Sequence, residues 1–185
     1  MVETRAGGGT FVRRTAPEDL ARPLSNLIVR GHTLTDVIEV RGLLEPAIAA
    51  SAARRIRPDE LAELREILKQ QAEKIDGGQS YAEEDTRFHE LIGQAARNEL
   101  LVTMLGVIWD VLRSSREQWL QTNDRAHSSV DAHQRILAAL EAHDLDAARA
   151  AAADHIRAVG EGILKLIADR PRTATHATST VGKGA

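Results

Sequence analysis

Asp85-Thr86-Arg87-Phe88-His89-Glu90-Leu91-Ile92 sets polar and apolar side chains at a helical spacing. Residues four apart on a helix share a face, so Asp85 and His89 point the same way, and Tyr81, Phe88 and Ile92 lie on that face with them. The spacing therefore predicts a helix over 81–97 that turns a carboxylate and an imidazole into an apolar interior. An unpaired buried carboxylate costs several kcal/mol, so Asp85 calls for a cation or several donors nearby.

Working outward, end signals and apolar periodicity predict further helices on both sides. A short helix follows Pro17 and runs to about Val29, with Gly31 ending it. The next covers 33–56, with Thr33 and Asp36 as a capping box. Pro58 opens a helix that ends at Gly77-Gly78. Asn98 suits the left-handed position after the 81–97 helix, and a helix over 100–121 follows. Residues Thr122 to His127 read as a polar connection. Helices over 128–143 and 145–169 complete the set, and Pro171 stops the last one. The architecture expected is all-α, an antiparallel bundle of about six main helices over 33–170. Ahead of it stand an extended, glycine-rich segment over 1–14 and a linker with a short helix over 15–32. The Thr-, Ala- and Gly-rich end, 171–185, reads as a disordered tail.

Composition agrees. The chain has 185 residues, 43% of them hydrophobic, enough to bury one sizeable core. Aromatics make up only 3% and alanine is abundant, which favours close-packed helices over sheets. With no cysteine, neither a disulfide framework nor a thiolate metal site is available. No apolar leader or membrane span is visible, so the expected setting is cytoplasmic, with no membrane partner. A net charge of −3 lacks the basic surplus of a domain that neutralises DNA phosphates on its own.

Two further helices offer inward imidazoles. His133 shares a face with Ile136, Leu137 and Leu140, and His155 aligns with Ala148, Ala152, Val159 and Ile163. His32, His127, His143 and His176 fall at ends, connections or the tail, where solvation is easy. If the three helices are neighbours, Asp85, His89, His133 and His155 form a site of three nitrogens and one oxygen, suited to zinc, nickel or manganese. Each member also has a bland reading: a single helical histidine is commonly a hydrogen-bonded core residue, and Asp-x-x-x-His can be a simple ion pair. Arg41 shares a face with Val37, Leu44 and Ile48, where a buried guanidinium suits a carboxylate ligand. Its plainer partner is Glu45, four residues on.

Taken together these segments resemble the FadR branch of the GntR transcription regulators, specifically their C-terminal FCD ligand-binding domain. Gly7-Gly8-Gly9-Thr10-Phe11-Val12 is similar to the end of a winged-helix wing. Glu39-Val40-Arg41 through Leu44-Glu45, with Ala49-Ala50, resembles the first effector-domain helix. Asp85-Thr86-Arg87-Phe88-His89 with Asn98 downstream resembles the Asp-x-x-Phe-His element. His133 to Leu140, then Asp144, Ala147 and His155, resemble the closing helix pair.

The resemblance covers about 7–169. It implies divalent metal ligation by Asp85, His89, His133 and His155, an effector contact from Arg41, a small carboxylic acid as effector, and a homodimer; Asn98, first a helix cap, is the second candidate for effector binding. The winged helix that would precede the wing is not in the sequence, so DNA is a partner only where such a segment is present. In a full-length protein Arg13 and Arg14 are the candidate phosphate contacts. The expected function is effector sensing, not catalysis. A metal-dependent hydrolase is the main rival, but Gly93 breaks the His-Glu-x-x-His motif that His89-Glu90 begins, and no general base is evident. A purely structural, metal-stabilised dimerisation module is the other.

Overall fold

Pro58 and Gly78 punctuate the chain as the sequence requires. Pro58, which has no amide hydrogen, sits at the first helical position, and Glu60 Oε2 accepts the Arg57 amide at 3.0 Å. At the other end Gly78 takes φ +65°, a conformation that costs a side-chain-bearing residue. The computed structural model describes residues 2–5, 9–12, 34–119 and 123–168. Among these are six helices: α1 (Leu34–Arg55), α2 (Pro58–Asp76), α3 (Ala82–Ala95), α4 (Glu99–Trp119), α5 (Asn123–Glu141) and α6 (Leu145–Ala168). Thr33, the short helix after Pro17, the 15–32 linker and the 171–185 tail lie outside the described residues.

The N-terminal stretch is more than extended. Val2–Arg5 (β1) and Gly9–Val12 (β2) pair antiparallel, with Val2 opposite Val12 and Arg5 opposite Gly9. The bundle itself is all-helical. α1 packs most extensively against α6, and α5 lies against both α6 and α2; α3 touches α1, α2 and α4. Close approach of α1 and α6 depends on Gly160, where an added Cβ would stand 2.9 Å from Ile38 Cγ2. The main core is built from Ile48, Leu64, Ile67, Phe88, Ile136 and Leu140, all nearly inaccessible, with alanines 52, 53, 95, 96, 148 and 152 letting backbones approach.

Two boundaries correct the sequence reading. The connection expected over 122–127 is shorter, because α5 begins at Asn123, and Ala126 is buried on its inward face against Ile75, Tyr81 and Val130. His127 is therefore an exposed helical residue, 3.7 Å from Asp76. The left-handed residue after α3 is Arg97, with φ 53°, and not Asn98. Asn98 caps the next helix instead: its Oδ1 accepts the Leu101 amide at 3.3 Å. Arg97 is held in place by an ion pair with the buried Glu60, 2.8 Å away.

Candidate metal centre

Each of the four polar residues picked out from spacing is buried: Asp85, His89, His133 and His155 are 3%, 6%, 0% and 4% exposed. α3 supplies Asp85 in its first turn, where the positive end of the helix dipole favours a carboxylate, and His89 one turn on. α5 supplies His133, stacked on Phe88 with ring centroids 4.3 Å apart, and α6 supplies His155. One ligand nitrogen from each histidine lies within 4.8 Å of the others. Two donors on one ion with bonds near ~2.1 Å stand about 3–4 Å apart, so the three nitrogens are within small side-chain adjustments of sharing an ion. Asp85 stands at the edge of this triad, its Oδ1 3.6 Å from His133 Nε2 and 3.5 Å from Ser129 Oγ.

The donor set fits a divalent ion. His89 Nε2 is buried and has no hydrogen-bond partner, a state that costs a polar group unless something binds there. Burial, then the neighbouring His89, pushes the His155 imidazole down to about 3, so this ring is neutral at physiological pH, the form in which imidazole is a ligand.

Behind the rings stands a second layer. His133 Nδ1 donates to Gln71 Oε1 of α2 at 3.0 Å, and His89 Nδ1 donates to Glu45 Oε2 of α1 at 3.1 Å. Glu45 also takes Arg41: the guanidinium Nε lies 2.5 Å from Oε1, and Nη2 lies 3.4 Å from Oε2. Burial opposes the charge of Glu45, but Arg41 and His89 outweigh it and hold the carboxyl well below its ordinary range. Burial likewise works against the Arg41 cation, and Glu45 more than offsets it.

A narrow cavity opens beside the histidines, enclosing about 300 Å³ between atoms counted out to its mouth. Its wall includes Glu45, His89, Ile92, Trp109 and His155, with Trp109 edge-on to His89 at 5.3 Å between centroids. The free space at its centre is about that of a single water. Arg41 is buried behind Glu45 and is not on this wall. Asn98 is exposed at the start of α4, outside the cavity. Arg13 and Arg14 lie outside the described residues. Glu45 and Gln71 were not singled out as site residues by spacing. The available signal was Gln71 itself, an uncharged polar residue in line with Leu64, Ile67, Leu68 and Ile75 on the buried face of α2.

The chain is similar to known proteins in sequence and in fold. The FCD domain model matches residues 36–158. The Uxu operon regulator of Haemophilus influenzae is 28% identical over 172 residues, 90% of this chain and 63% of its own length. The HTH-type transcriptional regulator LutR of Bacillus subtilis is 27% identical over 162 residues, 84% of this chain and 74% of its own. In structure, Streptococcus agalactiae GntR aligns with a TM-score of 0.58 at 25% identity, covering 86% of this chain and 74% of that one. Escherichia coli McbR/YncC shares the fold, with a TM-score of 0.64 at 17% identity over 91% of this chain and 74% of that one. This chain spans just under two thirds of the length of the Haemophilus regulator. No helix among the described residues is long and apolar enough to cross a membrane. The relatives are named as transcription regulators, and the chain belongs to the FCD-domain family.

Proposed function

We propose that this chain is the effector-binding domain of a FadR-like, GntR-family transcription regulator, that it holds one divalent metal ion through His89, His133, His155 and Asp85, and that a small organic acid binds against the ion as the regulatory signal. The observation that carries the reading is the convergence of three buried imidazole nitrogens from three helices on one point, one of them, His89 Nε2, without a partner. Charge supports an acidic effector. Arg41 and Glu45 cancel, imidazole binds a metal in its neutral form, and a dication set against the Asp85 carboxylate therefore leaves one net positive charge. A monocarboxylate neutralises that remainder in a buried site. The narrowness of the cavity means that an acid larger than a few atoms displaces Trp109 or its neighbours, which links ligand binding to the position of α4.

The β1–β2 hairpin is read as part of a winged-helix wing, with 15–32 as the linker to the bundle. In a polypeptide that carries the winged helix, two bundles pair as a homodimer, and effector binding alters the spacing of the two DNA-reading helices. Such a shift requires different effector affinity for the two arrangements; tight binding alone changes nothing. The small cavity also favours a second reading, an ion that only stabilises the bundle.

Calorimetric titration of chelator-stripped protein with zinc, nickel and manganese, followed by a panel of small carboxylic acids on the loaded protein, separates the two. Saturable acid binding that needs the metal supports sensing. Metal binding with no acid effect supports the structural reading, and no metal binding at all removes both.

A further inference from the structure

Two side chains that donate nothing to the centre hold the rings that do, and one of them is itself held. Glu45 is 6% exposed, with Oε1 on Arg41 Nε and Oε2 on His89 Nδ1. A carboxylate only accepts hydrogen bonds, so the hydrogen between Glu45 and His89 belongs to Nδ1, and in the neutral ring, the form that binds metal, the lone pair is then on Nε2. That Nε2 is the buried atom without a partner beside the cavity. The guanidinium of Arg41 engages both carboxylate oxygens and so fixes the plane of the group that orients the ring.

We propose that Glu45 is a positioning residue for metal binding: clamped by Arg41, it holds His89 in the Nδ1–H tautomer with Nε2 turned toward His133 and His155. The buried Arg41–Glu45 pair thereby sets metal affinity and is not retained simply for stability. The inference rests on the metal reading above. A buried ion pair is a poor stabilising device, since well-packed apolar residues of similar volume commonly do as well or better. Partners that orient metal-binding histidines, by contrast, typically change metal affinity by about 10–100-fold when lost.

The test uses the whole chain, stripped with a chelator, and zinc alone as the probe. Removing one member of the pair leaves a buried charge and risks unfolding, so both are replaced. The double variant Arg41→Met with Glu45→Met is expected to fold and to melt at or above the wild-type temperature without metal, yet to bind zinc about 10–100-fold more weakly. Arg41→Met with Glu45→Gln returns a neutral acceptor to His89 Nδ1 and is expected to recover most of the affinity. Long-range nitrogen–proton NMR of the metal-free protein reads the tautomer directly: His89 Nδ1–H in the wild type, a mixture in the Met/Met variant. Equal zinc affinity in all three proteins overturns the proposal, as does a mixed His89 tautomer in the wild type. A wild type that binds no zinc sinks the metal reading instead. The NMR then decides on Glu45 alone, the positioning role standing only if a pure Nδ1–H form is lost in the Met/Met variant.

Discussion

The same Arg-x-x-x-Glu spacing occurs on α1, at Arg41 and Glu45, and on α6, at Arg157 and Glu161, and the two pairs have different fates. On α6 both side chains are about two-thirds exposed, and Arg157 divides its donors between Glu161 and Asp154. On α1 both are nearly inaccessible, and the carboxylate passes its second oxygen to His89. Spacing predicts that the partners meet in either case. Whether the meeting matters is decided by what the rest of the bundle places over it: solvent on α6, and a ring of histidines on α1.

The largest expected effect that separates the two pairs is Glu45→Ala. It strands a buried guanidinium, and should cost about 3–5 kcal/mol in urea unfolding; a cost below about 1 kcal/mol would mean that α1 is solvated here. Next comes the metal. Zinc held at a hundred times its dissociation constant should add about 2.7 kcal/mol to stability. The gain should vanish in His133→Ala, which removes the most deeply buried of the rings.

Acid should then weaken the metal-free protein through His155, whose folded pKa is depressed from 6.5 to about 3. The sign follows from proton uptake. Below pH 6.5 the unfolded chain binds a proton that the folded one refuses, so stability falls as pH drops from 6.5 toward 3. The slope approaches ~1.4 kcal/mol per unit, or about 2 kcal/mol between pH 7 and 5. Unfolding midpoints measured with chelator at both pH values check this, and a His155→Gln variant should show a flatter dependence.

A smaller effect is expected at His143, whose Nδ1 donates to the Ala53 carbonyl at 2.8 Å and so caps the last turn of α1. His143→Ala should cost about 1 kcal/mol. Smallest of all is Arg157→Ala, which should leave the urea midpoint where it was, because its partners lie in water.

Much of this was legible in the sequence because the relevant signals are local. The apolar stripes of α2 and α3, Pro58 and the Gly77-Gly78 pair fixed helices to within a few residues. The same periodicity put Asp85, His89, His133 and His155 on inward faces. What eluded the reading depends on contacts between helices or on competition for one signal. Asn98 has the right chemistry for either a left-handed C-terminal position or an N-cap, and the α4 amide at Leu101 claimed it. Ser128 and Ser129 resemble helix starters, but burial of Ala126 carries α5 back to Asn123. His143 looked merely solvated at a helix end, because the carbonyl it meets is 90 residues away. Glu45 was visible only as the neighbour of Arg41. Its second bond, to His89, spans two helices and leaves no trace in spacing.

Whether the three imidazoles share one ion can be read by X-ray absorption at the zinc edge on the loaded wild-type chain in frozen solution. One ion per chain is expected, with a first shell of nitrogen and oxygen at about 2.0–2.2 Å that includes three imidazoles and loses one of them in each single His→Ala variant. A shell of one imidazole or none, or a spectrum unchanged when His89, His133 or His155 is replaced, would contradict it.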